Sequence, residues 1–110
     1  MTDNMGLNYK ITKRLEPGLK SKATITAIKE AKGEEIVKSS ARNPQQVLYV
    51  IYAKVNGWEG KIGQINKPPS EYISDRSKMA QFIQRYGQQL AVGMQVDVET
   101  NKNGYWSLLT

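Results

Sequence analysis

The amino-acid sequence predicts a mainly β domain, in which five strands curl into a small β-barrel and one helix lies between the third and fourth strands. Three observations support this prediction. Segments of alternating apolar and polar residues recur along the chain, as is typical of strands with one buried face. Asn-Gly pairs at 56–57 and 103–104 favour tight turns between strands. A stretch after Pro68-Pro69 has its apolar residues at helical spacing.

The composition narrows the function classes before any motif is considered. The 110 residues suit one domain, which we expect at 15–110, with 1–14 as a flexible N-terminus or, at 9–15, a short extra strand. The chain has no Cys and no His, which excludes disulfides, Cys/His zinc sites and histidine acid–base catalysis. Sixteen basic residues against ten acidic ones give a net charge of +6, which favours a polyanionic partner.

Several absences in the sequence shape the remaining expectations. No apolar run is long enough to cross a membrane, and the first ten residues lack an apolar signal region. No phosphate-loop or dinucleotide signature occurs, and the carboxylates are scattered. We therefore expect a cytoplasmic protein that is not an enzyme, has no cofactor or metal, and has no membrane partner.

The first strand is predicted at 19–29, after a turn at Glu16-Pro17-Gly18. Its inner face would carry Ala23, Ile25 and Ala27. Its outer face would carry Lys22, Thr24, Thr26 and Ile28. The polar stretch 30–45 then predicts a long loop, or a strand end that leaves the sheet and returns, and loops of this length are often functional.

The second and third strands are predicted at 46–55 and 58–65, joined by a type I′ turn at Asn56-Gly57. A two-residue loop places Val55 opposite Trp58 and pairs the following positions in turn, out to Ile51 opposite Ile62. The apolar face then holds Val47, Tyr49, Ile51, Ala53, Val55, Trp58 and Ile62. The other face holds Tyr52, Lys54, Glu59 and Lys61. Glycines at 60 and 63 indicate a sharp bend.

The helix is predicted to begin after an N-cap at Ser74, with Asp75 in its first turn, and to end at Gly87. Its apolar stripe consists of Met79, Phe82, Ile83 and Tyr86.

The last two strands, 94–100 and 105–110, can pair in two registers. A two-residue turn at Asn103-Gly104 would place Trp106 on the face of Asp97. A three-residue loop at 102–104, with Gly104 in the left-handed conformation, would place Trp106 and Leu108 inside with Val96. Because burial decides between registers that differ by one residue, we expect the three-residue loop, with Tyr105 and Ser107 outward.

Two short motifs carry a resemblance to a known family. Leu15-Glu16-Pro17-Gly18-Leu19-Lys20 resembles the Pro-Gly lead-in of replication protein A-type OB folds. Leu90-Ala91-Val92-Gly93-Met94-Gln95-Val96 resembles the segment that opens their fourth strand, with Met94 where the family usually has Asp. The order of elements over 15–110 is also that of a five-stranded OB barrel. The resemblance implies single-stranded nucleic-acid binding of the replication protein A, archaeal or viral type.

The candidate binding residues are aromatic and basic. Tyr52, Lys54 and Lys61 share the outer face of the second and third strands, where a ring can stack on a base and ammonium groups can neutralise phosphates; the alternative is an ordinary solvated face. Trp58 either stacks on a base or caps the open end of the barrel. Trp106 is expected in the core.

Further candidates lie on the first strand and on the loops. Lys22 and Lys29 belong to the first strand or its end. Arg42 lies in the following loop, which contains both acidic and basic residues; the alternative is that this loop is disordered and binds nothing. Lys102 and Tyr105 lie at the last hairpin, beside the expected groove or on a plain polar hairpin end. Lys10, Lys13 and Arg14 form a separate basic cluster that either extends the groove or is solvated.

The sequence thus predicts a non-catalytic protein that binds single-stranded DNA with little sequence preference, in a role such as DNA replication. The alternatives are an RNA-binding module and a protein–protein adaptor on the same scaffold. We expect a monomer or a weak homodimer, with protein partners as a further possibility.

Overall fold

The computed structural model describes residues 6–9, 11, 14–33 and 46–110. Its elements are β1 (Lys20–Lys32), β2 (Val47–Val55), β3 (Trp58–Asn66), α1 (Lys78–Tyr86), β4 (Gln95–Thr100) and β5 (Trp106–Leu108). The strands form one antiparallel sheet in the order β3-β2-β1-β4-β5. The expected fold class is confirmed: the protein is mainly β, with one short helix between the third and fourth strands.

The sheet curls until its two edges approach each other. The first residues of β1, Lys20–Thr24, pair with β4, and the residues from Thr24 to Lys32 pair with β2. The edge strands β3 and β5 come close at Gly63, where an added Cβ would lie 3.5 Å from the Leu108 Cβ. Within the described residues these two strands form no ladder, so the sheet is a nearly closed, OB-like barrel.

Parts of the expected N-terminus and first loop lie outside the described residues, including 1–5, Lys10, Lys13 and the stretch 34–45 that contains Arg42. Tyr9, Ile11, Arg14 and Leu15 are described and lie outside the strands. Within the described part of the chain, no helix has the length and apolar character needed to cross a membrane.

The core fills the inside of the barrel and is closed by the apolar stripe of α1. Its buried members are Ala23, Ile25, Ile51, Ala53, Val55, Ile62, Ile65, Met79, Phe82, Met94, Val96 and Val98. Two expectations on β1 are wrong, and the first concerns Ala27, which lies opposite Tyr52 on the outer face instead of facing inward. Ile28 packs against this core instead of facing outward, because a β-bulge between Ile25 and Ala27 shifts the register by one residue.

The β2–β3 hairpin confirms the predicted turn. Asn56 and Gly57 have φ values of 48° and 87°, as a type I′ turn requires, and the pairing holds from Val55–Trp58 to Tyr52–Lys61. Beyond Tyr52 the prediction is wrong by one position. Ile51 faces Gly63 because a second irregularity leaves Ile62 as the extra residue.

The second irregularity leaves the inner face of the hairpin apolar, since Ile62 and Ile65 are both buried. On the outer face of β2, Leu48 and Val50 are also buried. The exposed part of that face therefore lies toward the turn, around Lys54 and Lys61.

The helix starts one turn later than expected. Its N-cap is Ser77, whose hydroxyl accepts a hydrogen bond from the Ala80 N–H at 3.1 Å. Ser74 is not the cap, because its hydroxyl accepts from the Arg76 N–H in a local turn that precedes the helix. Gly87 ends the helix in the left-handed conformation, as predicted.

The last hairpin adopts the three-residue loop. Val98 pairs with Leu108 and Thr100 with Trp106, and Gly104 has a φ of 81°. Trp106 and Leu108 therefore lie on the face of Val98 and pack against the core. The competing two-residue register is wrong.

Candidate functional site

The first group of candidate residues forms what we call the sheet face, made of Lys29, Tyr52, Lys54 and Lys61. Tyr52 lies on the middle strand β2, opposite Lys61 of β3 on one side and opposite Ala27 of β1 on the other. The Lys29 ammonium nitrogen lies 5.2 Å from the centre of the Tyr52 ring. Three neighbouring strands thus present one half-buried ring between exposed cations.

The lysines of the sheet face are available for a ligand. Among the described residues, none of Lys29, Lys54 and Lys61 forms an ion pair, although Lys54 stands opposite Glu59 across the hairpin. Lys67, the residue after β3, instead pairs with Glu30 at 2.8 Å. The three lysines therefore leave uncompensated positive charge around Tyr52.

Lys22 differs from the other candidate lysines because an acidic partner holds it. Its ammonium group donates to the Asp97 carboxylate, which Arg85 also contacts at 3.2 Å. The hydrogen bond from Lys22 holds the pKa of Asp97 below its usual value, with Arg85 adding to this effect and partial desolvation opposing it. A ligand phosphate would have to compete with this carboxylate for Lys22.

The second group lines what we call the aromatic groove, a cavity of about 580 Å³ between the β2–β3 turn and the β4–β5 loop. Its main lining residues are Arg14, Val55, Trp58, Gly104, Tyr105 and Trp106. Trp58 pairs with the buried Val55 and so belongs to the inner face of the hairpin, whereas Lys54 and Glu59 belong to the outer face. The aromatic groove and the sheet face are separate surfaces.

Trp58, at the β2–β3 turn, is packed on one side and exposed on the other. Its indole ring lies against Gly60, where a Cβ would come within 2.6 Å of Cζ2. The ring thus covers this end of the barrel, yet 39% of the residue remains exposed. Gly60 provides the space that this ring position requires.

The β4–β5 loop holds Tyr105 in a defined position. The side-chain oxygen of Asn101 accepts hydrogen bonds from the backbone N–H groups of Asn103 and Tyr105, at 2.9 and 3.1 Å. Tyr105 is 66% exposed, and Lys102 is exposed in the same loop. A fixed backbone that carries an exposed ring is suited to contact a ligand without a large cost in ordering.

The chain matches no protein-family model, no curated protein and no solved structure. The assignment of a function therefore rests on the geometry of the described residues. Among them, no group of three or more acidic, His or Cys side chains is placed to hold a metal ion.

The structure divides the predicted site residues instead of gathering them into one patch. Tyr52, Lys54 and Lys61 meet Lys29 on the sheet face. Trp58 and Tyr105 meet in the aromatic groove, Lys102 lies beside it and Arg42 lies outside the described residues. Two lining residues were not among the predicted site residues: Trp106, which was expected in the core, and Arg14, whose basic cluster was expected either to extend the groove or to be solvated.

Proposed function

We propose that this protein binds single-stranded DNA without catalysis and with little sequence preference. The observation that carries the proposal is the sheet face, where the Lys29 ammonium nitrogen lies 5.2 Å from the centre of the Tyr52 ring and Lys61 stands opposite Tyr52 on β3. Proteins that bind single strands combine stacking rings with a basic surface that follows the phosphates. The OB-like barrel supports the proposal only as a scaffold that often serves this purpose.

The energies favour a base over Lys29 as the partner of Tyr52. An exposed cation–π contact is worth about 0.5–1 kcal/mol, whereas stacking of a base on one ring is worth about 1–3 kcal/mol. The base displaces Lys29 from the ring, and the freed ammonium group then moves to a phosphate. The contact with the Tyr52 ring therefore keeps Lys29 near the position where the strand needs a positive charge.

The lysines determine how binding depends on salt. Each phosphate contact with a single strand contributes about −0.7 to the slope of log K against log salt. Contacts from Lys29, Lys54, Lys61 and Lys102 would give a slope of about −3.

The direct test is fluorescence anisotropy with a labelled single-stranded DNA, an RNA of the same sequence and the corresponding duplex, each at two salt concentrations. We expect the single-stranded DNA to bind more tightly than the duplex, because stacking needs unpaired bases. Tighter binding of the RNA would replace DNA by RNA as the ligand. Binding that does not change with salt, or that favours the duplex, would overturn the proposal.

Matched variants distinguish binding at the sheet face from the effect of removing any exposed ring or any lysine. Tyr52→Ala should weaken binding by about 1–3 kcal/mol, whereas Tyr72→Ala, at an exposed ring before α1, should leave it unchanged. Lys61→Gln should reduce the salt slope by about 0.7. Lys67→Gln should leave the slope nearly unchanged, because Glu30 already neutralises that ammonium group. Equal effects within either pair would contradict the role of the sheet face.

A protein–protein adaptor is the second candidate, favoured by one observation. Leu7, Tyr9 and Ile11 alternate in the sequence and are all largely exposed, and alternate apolar side chains suit an extended segment that docks on a partner. Replacing the three with Ser should leave oligonucleotide affinity unchanged under the main proposal. Absence of nucleic-acid binding at low salt, together with self-association that the triple variant abolishes, would favour the adaptor.

A further inference from the structure

The aromatic groove has the size and lining of a small-molecule site. Its volume of about 580 Å³ lies within the range of about 300–1,000 Å³ that such sites occupy. The buried Val55 and the half-buried Trp106 form its apolar floor, while Trp58 and Tyr105 expose part of their rings. Three rings around one opening favour a flat aromatic ligand over an aliphatic one.

A positive charge stands beside these rings. Arg14 packs its aliphatic part over Gly104, where an added Cβ would lie 2.5 Å from the Arg14 Cγ. Among the described residues, the Arg14 guanidinium forms no ion pair. A guanidinium group binds phosphate through two parallel hydrogen bonds, so the groove suits a ligand that carries an anionic group next to an aromatic ring.

The backbone around Arg14 is held in place. The buried Thr100 hydroxyl accepts a hydrogen bond from the Leu19 N–H at 2.9 Å and donates to the Glu16 carbonyl. The Gly18 N–H donates to the Thr100 carbonyl at 2.9 Å. These bonds fix the segment that follows Arg14 against β4, so the position of the arginine beside the β4–β5 loop is built into the barrel.

The groove also offers polar groups for the edges of a base. Asn56 and Asn103 line it, and an amide presents both donors and an acceptor. The Asn56 amide nitrogen donates to the Ser21 hydroxyl at 3.4 Å. This lining contrasts with the sheet face, where one ring and several lysines offer stacking and charge but no amide.

We infer that the aromatic groove is a nucleotide pocket, which takes one base among Trp58, Tyr105 and Trp106 and the adjoining phosphate on Arg14. The inference rests on the proposed function, because the nucleotide would belong to the bound strand, and it adds a second, enclosed subsite to the open sheet face. An apolar side chain of a peptide would fill the space between the three rings but would leave the Arg14 guanidinium without a partner.

The test uses deoxyadenosine monophosphate, deoxyadenosine and inorganic phosphate, each titrated into the full chain. The tryptophan emission reports binding directly, because both tryptophans line the groove. We expect the nucleotide to quench the emission with an affinity roughly 10- to 100-fold higher than that of the nucleoside, as a charge-assisted hydrogen-bonded contact provides. Inorganic phosphate alone should cause no quenching.

Two variants assign the parts of the pocket. Arg14→Gln should remove the advantage of the nucleotide over the nucleoside and leave nucleoside affinity unchanged, while Arg76→Gln, at an arginine before α1, should change neither. Tyr105→Ala should weaken both ligands equally, by about 5- to 150-fold.

The outcomes distinguish this inference from the proposed function. If oligonucleotides bind but the nucleotide does not quench, or if Arg14→Gln weakens nucleoside and nucleotide alike, the pocket assignment is wrong and the proposed function stands. If the nucleotide quenches as expected but no oligonucleotide binds, the pocket stands as a nucleotide site and the proposed function is wrong.

Discussion

Replacement of Gly60 by Ala offers a way to move the Trp58 ring without removing it. The added Cβ would lie 2.6 Å from Cζ2 and 2.9 Å from Cη2 of Trp58, well inside the contact distance of about 3.5–4.0 Å between carbon atoms. These atoms are at the far end of the side chain, so we expect the ring to swing away while the backbone stays in place.

The stability of the variant should change little. A side chain forced off its preferred rotamer costs about 0.5–1.5 kcal/mol, and replacing a strand glycine by alanine recovers about 0.5–1 kcal/mol. The free energy of unfolding should therefore stay within about 1 kcal/mol of the original value. Binding of single-stranded DNA should weaken by about 1–3 kcal/mol if the displaced ring stacks on a base.

Gly63→Ala is the matched control on the same strand, because its Cβ would meet the Leu108 Cβ at an ordinary 3.5 Å. Three measurements are needed: urea unfolding, anisotropy with the oligonucleotide, and fluorine NMR of protein labelled with 5-fluorotryptophan. Gly60→Ala should shift the Trp58 resonance and weaken binding, and Gly63→Ala should do neither. A shifted Trp58 resonance with unchanged affinity would refute the stacking role of Trp58.

Three further predictions concern the caps, turns and charges that hold the barrel together. Ser77→Ala should destabilise the protein by about 1 kcal/mol in urea unfolding because it removes the helix cap, whereas the same change at the serine three residues earlier should cost less; equal losses would contradict the observed cap. Gly104→Ala should cost more stability than Gly57→Ala, because both have positive φ but only at Gly104 would a Cβ clash with neighbouring atoms, and equal thermal melting temperatures would count against that packing. Because Lys22 lowers the pKa of folded Asp97, the stabilising effect of this carboxylate is present above its unfolded pKa of about 3.9 and is lost as the pH falls through the lower folded value. Asp97→Asn should therefore be less stable than the original at neutral pH and nearly equal to it in strong acid, and parallel pH profiles of urea midpoints would refute this linkage.

The features that the sequence determined by itself depend on neighbours along the chain. Asn56 and Gly57 both accept positive φ, so the turn and the first pairs of the hairpin follow from two residues. Alternation around Val96 and Val98 determined which face of β4 is buried. The same logic chose the three-residue loop at 102–104, because the other register would have exposed Trp106 and Leu108.

The start of the helix needed information from the folded chain. Ser74 and Ser77 are both good caps, and the sequence favoured Ser74 because Asp75 follows it. The structure uses Ser77, because Ser74 is engaged in a local turn with Arg76. Local propensity cannot choose between two possible N-cap residues that lie within one helical turn of each other.

Only the tertiary structure determined where the β-bulges lie and which candidate site residues come together. Ile28 turns inward because β1 pairs with β4 at one end and with β2 at the other, and the bulge lies just beyond the point where the two ladders meet. Arg14 lines the same cavity as Trp58 because Thr100, on β4, holds the segment after Arg14. A one-residue shift between strands, or a contact across more than eighty positions of the chain, leaves no periodic signal in the sequence because it depends on how distant segments pack.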